Sequence, residues 1–391
     1  MMTVPFSDLV AQQHEIDGEV RSAMREVFES GAFIGGPAVA AFEHEYAAYT
    51  GTRHCVGMGN GTDALEAALR AVGVGRGDEV VIPANTFIAT AEAVLRAGAT
   101  PVLVDVDEHA LLIDPAAAAA AVGPATRAIV AVHLYGQPAP VERLEPIARS
   151  AGAVIVEDAA QSHGARRHGG ASGGLASIAA TSFYPGKNLG AAGDAGAVTT
   201  DDPELARTVR MLGSHGSERR YAHELLGFNS RLDAVQAVVL SAKLRRLEDW
   251  NVRRRAIAVA YGALLHDLDE LTLPVVAEGN EHVWHLYVVR VRDRERVAAE
   301  LAEAGVATGI HYPVPLHRSP ALVDQTIRRT DCPVTDAAAG EILSLPMFPH
   351  MTASQVVAVT QALRTAVHAP ALPAERVVIP ALERSGSWPA G

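Results

Sequence analysis

Val154-Ile-Val-Glu-Asp158, continuing as Ala-Ala-Gln161-Ser-His163, is an apolar run that ends in carboxylates. A short Val/Ile run bounded by polar residues suits a strand buried on both faces, the kind found in parallel sheets covered by helices. The flanks repeat the arrangement. The strand, Ala153 to Glu157, follows a helical stretch from Val141 to Ser150, which follows another strand from Ala128 to Leu134. Upstream, Glu79 to Pro83 and Pro101 to Val106 are strand-like around a helix from Phe87 to Ala97. Asp63 to Ala71 is an Ala/Leu-rich helix behind a Gly-Asn-Gly-Thr turn. Short strands alternating with helices require crossover connections, so an α/β chain with a mostly parallel sheet is predicted. Ligands of such sheets bind beyond the carboxyl ends of the strands, and Asp158 stands at such an end.

The pattern changes near Asn229. Leu232 to Leu264 is nearly continuous helical periodicity, with basic clusters at Arg245-Arg246 and Arg253-Arg254-Arg255. It is expected to carry the chain from a large domain, residues 1–245, into a smaller one, residues 246–368. The smaller domain would use a strand from Val283 to Val291, a helix from Arg294 to Ala304, the segment Thr308 to Tyr312 and a last helix from Ala353 to Val367. The alanine run Ala116 to Ala121 reads as a surface helix. Ala369 to Gly391 is proline-rich without a period, and a loosely held tail is expected there.

Composition narrows the class. With 391 residues, 49% hydrophobic and 20% charged, the chain can bury a large core. A net charge of −12 argues against nucleic acid or an anionic membrane as partner. No apolar run has transmembrane length, and the first residues lack a signal-peptide pattern. Two isolated cysteines, Cys55 and Cys332, suggest neither a disulfide frame nor a metal site. A cytoplasmic, metal-free protein is expected.

Lysine usage points to chemistry. Lysine and arginine together number 33, yet only Lys187 and Lys243 are lysines. Arginine cannot lose a proton near neutral pH and condense with a carbonyl, whereas a primary amine can. Lys187 lies in Thr181-Ser-Phe-Tyr-Pro-Gly-Lys-Asn-Leu-Gly190, followed by Gly193-Asp194-Ala-Gly196. This run is either a Schiff-base site or a loop carrying an ordinary surface lysine. Three other motifs bear on the choice. Gly59-Asn-Gly-Thr-Asp63 precedes a helix, whose free N–H groups can hold an anion, although such turns are common. Asp158 could pair with a protonated ring nitrogen or simply cap a loop. Phe87, in Asn85-Thr-Phe87 at another strand end, is core unless a flat cofactor needs a stacking partner. Together they point to pyridoxal phosphate.

These motifs resemble the DegT/DnrJ/EryC1/StrS sugar aminotransferases, within the aspartate-aminotransferase fold. The matching runs include Ser30-Gly-Ala-Phe-Ile-Gly-Gly-Pro37, Gly59-Asn-Gly-Thr-Asp-Ala-Leu65 and Gly77-Asp-Glu-Val-Val-Ile-Pro83. Further matches are Val132-His-Leu-Tyr-Gly136, Glu157-Asp-Ala-Ala-Gln-Ser-His-Gly164, Ser182 to Gly190, Gly227-Phe-Asn-Ser-Arg-Leu-Asp233 and His311-Tyr-Pro-Val-Pro-Leu-His317. The resemblance implies a mostly parallel, seven-stranded sheet sandwiched by helices, with a smaller C-terminal α/β domain.

It also implies roles. Lys187 forms the Schiff base with pyridoxal phosphate and moves the proton during transfer. Asp158 keeps the pyridine nitrogen protonated, Gln161 bonds the phenolic oxygen, and Phe87 stacks on the ring. Gly61, Thr62, Asp63 and Ser182 hold the phosphate, joined by Asn229 from a neighbouring subunit, which makes the active unit a homodimer. Tyr184, His163, His311, Tyr312 and His317 are candidates for the sugar pocket. Arg219 and Arg220 either meet a diphosphate or are solvated charges. The implied reaction takes an amino group from L-glutamate to a keto-sugar nucleotide, favoured as a dTDP-linked 3-keto-6-deoxyhexose. A 4-keto sugar, a keto-inositol and a non-catalytic cofactor-binding regulator remain as rivals.

Overall fold

A computed structural model describes residues 3–219 and 221–368. Arg220 and the proline-rich end, residues 369–391, lie outside the described residues. Two helices come first, α1 (Leu9–Ser30) and α2 (Gly36–Thr50), ahead of the predicted alternation. The strands of the large sheet then follow as β1 (His54–Met58), β2 (Glu79–Pro83), β3 (Thr100–Val104), β4 (Thr126–Val132), β5 (Val154–Asp158), β6 (Ile178–Ser182) and β7 (Gly196–Thr200). Helices α3 (Gly61–Ala71), α4 (Ile88–Arg96), α5 (Pro115–Ala121), α6 (Val141–Ser150) and α7 (Pro203–Gly213) connect or follow them. The alanine run forms α5, with Ala118 and Ala121 turned into the core.

The sheet order is β1-β7-β6-β5-β4-β2-β3, with β7 antiparallel to both its neighbours and the others parallel. An eighth, two-residue strand completes the edge. Arg328 and Arg329 run parallel to β3, and Arg328 donates to the Glu79 carboxylate at 3.0 Å. A pair of arginines carries no hydrophobic alternation, so this addition to the seven strands has no strand signature in sequence.

The pleat sorts the strand residues between two cores. Ile82, Val130, Val156 and Ala180 pack on one face of the sheet, with α3 and α4. Val81, Ile129, Ala131 and Ile155 pack on the other, with α5 and α6. The parallel strands are almost continuously apolar because both faces are dry.

The long helix α8 (Ala234–Leu265) spans 32 residues. Its first half packs with α1 and α2, and its second half enters a separate hydrophobic core. That second core is built on a small antiparallel sheet, where β8 (Tyr287–Val291) pairs with β10 (Ile342–Leu345), backed by α9 (Arg294–Glu303) and α11 (Ala353–Ala366). Between these strands lie the edge strand β9 (Arg328–Arg329) and helix α10 (Pro333–Glu341). Val4 also belongs to the second core, pairing with Val306. The chain thus crosses between the two cores at its start, within α8 and again at β9. No helix among the described residues is long and apolar enough to cross a membrane.

Candidate active site

The carboxyl ends of the parallel strands open onto a cavity of about 550 Å³. Its wall collects Thr86 and Phe87 after β2, His133 after β4, Asp158 at the end of β5 and Ser182 at the end of β6, with Lys187 beyond.

Lys187 lies in the loop between β6 and β7, which is closed on itself. Lys187 N donates to the Tyr184 carbonyl at 2.8 Å, and Ala191 N to the Phe183 carbonyl at 2.8 Å. Gly190 permits this closure, since a Cβ there would stand 2.3 Å from the Pro185 oxygen. Asn188 then ties the loop down. Its amide nitrogen donates to Asn251 Oδ1 and to the Val283 carbonyl, each at 3.0 Å, and its oxygen stands 3.2 Å from His285 Nδ1. Burial pushes the Lys187 amine down to about 8, partly opposed by the nearby Asp158 charge. Near neutral pH this lysine keeps an appreciable share of nucleophilic amine.

Asp158 is fixed by its neighbours. Thr90 Oγ1 donates to its Oδ2 at 2.9 Å, and Ala160 N donates to Oδ1 at 3.3 Å. Because Thr90 spends its proton on the carboxylate, Thr86 is the donor in the 2.9 Å contact between the two threonines. Gln161 is oriented as firmly. Its Oε1 accepts from Tyr135 N at 2.7 Å, and its Nε2 donates to the Tyr312 hydroxyl at 3.1 Å. Tyr312 thereby keeps its own proton to donate, and burial raises its pKa. Its ring lies 5.3 Å from that of Phe87, which is half exposed at the cavity mouth.

An anion cradle faces the same space. Asn60, extended at φ −166°, caps α3 by accepting from Asp63 N at 2.8 Å. The cap leaves Gly61 and Thr62 at the open end of the helix, beside Ser182. A Cβ on Gly61 would stand 2.4 Å from Ser182 Cβ, so only glycine lets the two segments approach. Free backbone N–H groups, a helix terminus and a serine hydroxyl suit a phosphate.

Lys187, Asp158, Gln161, Phe87, Gly61, Thr62, Ser182, Tyr184, His311 and Tyr312 therefore converge, as expected. His311 is pushed down to about 4 by burial and the Lys187 charge, while its Nδ1 contacts Ser344 Oγ at 2.8 Å.

Four expected contacts are placed elsewhere. Asp63 is turned from the cavity: its N–H goes to Asn60, and its carboxylate takes Arg96 at 2.8 Å and Asn60 Nδ2 at 2.9 Å. His163 is sealed beneath the site instead of lining it. Thr181 gives its proton to the Ala159 carbonyl, so His163 Nε2 donates to Thr181 at 3.0 Å, and burial drives the ring down to about 3. His317 pairs with Asp336 at 2.8 Å, away from the cavity. Arg219 is exposed and does not line the cavity. Asn229, expected at a neighbouring subunit's site, is exposed too and is absent from the cavity of its own chain.

Sequence reasoning missed Thr90, Asn188, His285 and Arg254. Thr90 stands three residues past the singled-out Asn85-Thr-Phe87, one turn after Thr86. Arg254 was noted only as part of a basic cluster on the long helix; it is buried and lines the cavity.

A buried lysine with a lowered pKa, a threonine-held carboxylate and an anion cradle on one α/β sheet define a transferase site of the Schiff-base class. The chain belongs to the DegT/DnrJ/EryC1/StrS aminotransferase family, whose model matches residues 14–364. It is 48% identical over 92% of its length to all of the erythromycin biosynthesis sensory transduction protein EryC1 of Saccharopolyspora erythraea. It is 46% identical, over 92% of this chain and 95% of the relative, to a dTDP-3-amino-3,4,6-trideoxy-alpha-D-glucose transaminase of Streptomyces venezuelae. The crystal structure of DesV from S. venezuelae, in complex with a ketimine intermediate, superposes with a TM-score of 0.91. It is 45% identical, covering 97% of this chain and 100% of that one.

Proposed function

We propose that this protein is a pyridoxal phosphate-dependent aminotransferase that moves an amino group from L-glutamate to a keto-sugar nucleotide, a dTDP-linked 3-keto-6-deoxyhexose. The observation that carries the reading is the buried Lys187 amine, held near 8 in a cavity that also contains Asp158 and the Gly61-Thr62-Ser182 cradle. The residues fit the cofactor group by group. The cradle suits its phosphate, Asp158 its ring nitrogen, the Gln161 amide its phenolic oxygen and Phe87 its flat face. The bound cofactor would supply an aldehyde for amines and a ring that accepts electrons.

The chain supplies the rest. Lys187 Nζ is the primary amine that would hold the cofactor's aldehyde end and, once free, would serve as the proton carrier. Asp158, steadied by Thr90, would face the cofactor's ring nitrogen and favour its protonated form. His311 is neutral at pH 7, so it can exchange hydrogen bonds with a sugar without adding charge. The net reaction converts glutamate and a keto sugar to 2-oxoglutarate and an amino sugar. The name of the S. venezuelae transaminase supports amination at carbon 3.

The active unit is proposed to be a homodimer in which Asn229 and Arg219 serve the partner's cavity. Their exposure outside their own cavity supports this, as do the neighbouring exposed side chains Tyr221 and Leu226. The test is product analysis by NMR with 3-keto and 4-keto dTDP-hexoses and L-glutamate. A 3-amino sugar is expected from the wild type, and no product from Lys187→Ala or Lys187→Arg. A 4-amino product would refute the regiochemistry. Turnover by either variant would sink the lysine's role, and cofactor binding without amine transfer would favour a regulator.

A further inference from the structure

Four arginines are buried among the described residues, and three of them have a carboxylate partner. Arg167 pairs with Glu142, Arg294 with Glu295 and Arg364 with Asp267. Arg254, only 4% exposed, is the exception. Its Nη1 donates to the main-chain oxygens of Trp284 at 3.0 Å and Met347 at 2.8 Å, with a longer contact of 3.5 Å to His285. No carboxylate among the described residues lies within ion-pair distance. Its neighbours in sequence do find acids: Arg253 pairs with Glu15 at 3.2 Å and Arg255 with Glu248 at 2.6 Å.

A guanidinium taken out of water without a counter-charge is costly, and burial lowers Arg254 to about 9. The three carbonyls orient it without neutralising it. Arg254 also borders the cavity that holds Lys187. A fixed, uncompensated cation in the wall of a substrate cavity is a built anion site.

We propose that Arg254 receives the carboxylate of the amino-acid donor and is thereby a specificity-determining residue for that substrate. The assignment rests on the aminotransferase reading and deepens it. Three anions could meet the cation, and placement separates them. A cofactor phosphate has its cradle at Gly61, Thr62 and Ser182, on the large sheet. Arg254 is instead held by carbonyls that flank the small sheet, just before β8 and just after β10. A nucleotide diphosphate is bulky, while a side chain 4% exposed offers only an edge. A carboxylate is planar and accepts two parallel N–H donors in that width. The keto sugar carries no carboxylate, so the donor alone of the two substrates would use this residue.

The experiment uses holoenzyme of the wild type, Arg254→Gln and Arg254→Lys. Maleate, a dicarboxylate that is not turned over, is titrated against the absorbance of the bound cofactor. KM is measured separately for L-glutamate and for the keto-sugar nucleotide. Loss of a charge-assisted bidentate contact should raise the maleate Kd and the glutamate KM by roughly 10- to 100-fold in Arg254→Gln. The keto-sugar KM should not move. Arg254→Lys, which keeps the charge and one bond direction, should show a smaller rise in both and carries the test if the Gln variant does not fold. Unchanged maleate affinity in the variants, or an equal rise for both substrates, would overturn the assignment and leave Arg254 as a structural clamp. A wild type whose cofactor spectrum ignores glutamate would instead overturn the aminotransferase reading.

Discussion

Lys187 should titrate far below an ordinary lysine, and the chain is suited to showing it. It contains two lysines only, Lys187 and Lys243. Apoenzyme grown with carbon-13 at lysine Cε will therefore give two side-chain resonances, and Lys187→Ala assigns them by loss of one. Burial takes Lys187 from 10.5 to about 8. At pH 7 the neutral share then rises from about 0.03% to about 9%, a gain of about 300-fold in amine able to attack a carbonyl. Asp158 works against burial, because its negative charge favours the ammonium form. Asp158→Asn should thus lower the Lys187 midpoint further. The refuting results are a Lys187 signal that titrates near 10.5, or one that moves upward in Asp158→Asn. Either would mean that water reaches the amine, or that Asp158 is too distant to act on it. Lys243, also pushed down to about 8 by burial alone, should ignore the Asp158 change and so serves as the internal control.

Two further outcomes follow from the geometry. Gly61→Ala drives a Cβ to 2.4 Å from Ser182 Cβ and 2.9 Å from its Cα. Overpacking between helix and strand should cost about 1–3 kcal/mol, read as a lower denaturant midpoint, together with weaker cofactor retention. An unchanged midpoint would show that the cradle is looser than it looks. If Asn229 serves the partner's cavity, inactive Lys187→Ala and inactive Asn229→Ala proteins should regain activity when their subunits are mixed and re-associated. A hybrid carries one cavity in which both groups are intact. Lack of recovery, with hybrids demonstrated by mass spectrometry, would place Asn229 in its own subunit's chemistry or in none.

Much of the site was legible because its motifs sit where an α/β sheet must bind ligands. The Val154–Asp158 run announced a strand, and its last residue fell at a carboxyl end by rule. Local chemistry also marked the Gly-Asn-Gly-Thr turn ahead of α3 and the glycine-rich run that follows Lys187. Side-chain direction was less legible. Asp63 follows the phosphate turn, but the helix turns it toward Arg96. His163 follows Gln161 by two residues and lies under the site, hydrogen-bonded to Thr181. Lys243 lies beside Arg245 and Arg246 in the long charged helix, and α8 turns it inward while those arginines face Glu19.

By itself the sequence determined the class of chemistry. Residue type limits what a side chain can do, and the Gly-Lys, Glu-Asp and Gly-Asn-Gly-Thr runs retain that meaning in any fold that brings them together. It determined the alternation too, since hydrophobic periodicity is local. Only the tertiary structure showed where the adjacent acid, Glu157, goes. The pleat sends Asp158 to the face that carries Lys187. It buries Glu157 on the other, against His133 at 2.8 Å and the Gly173 and Ala176 amides. The structure alone also showed which arginine of three in a row is left without a counter-charge. A helix projects consecutive residues in different directions, and what meets each comes from elements far along the chain.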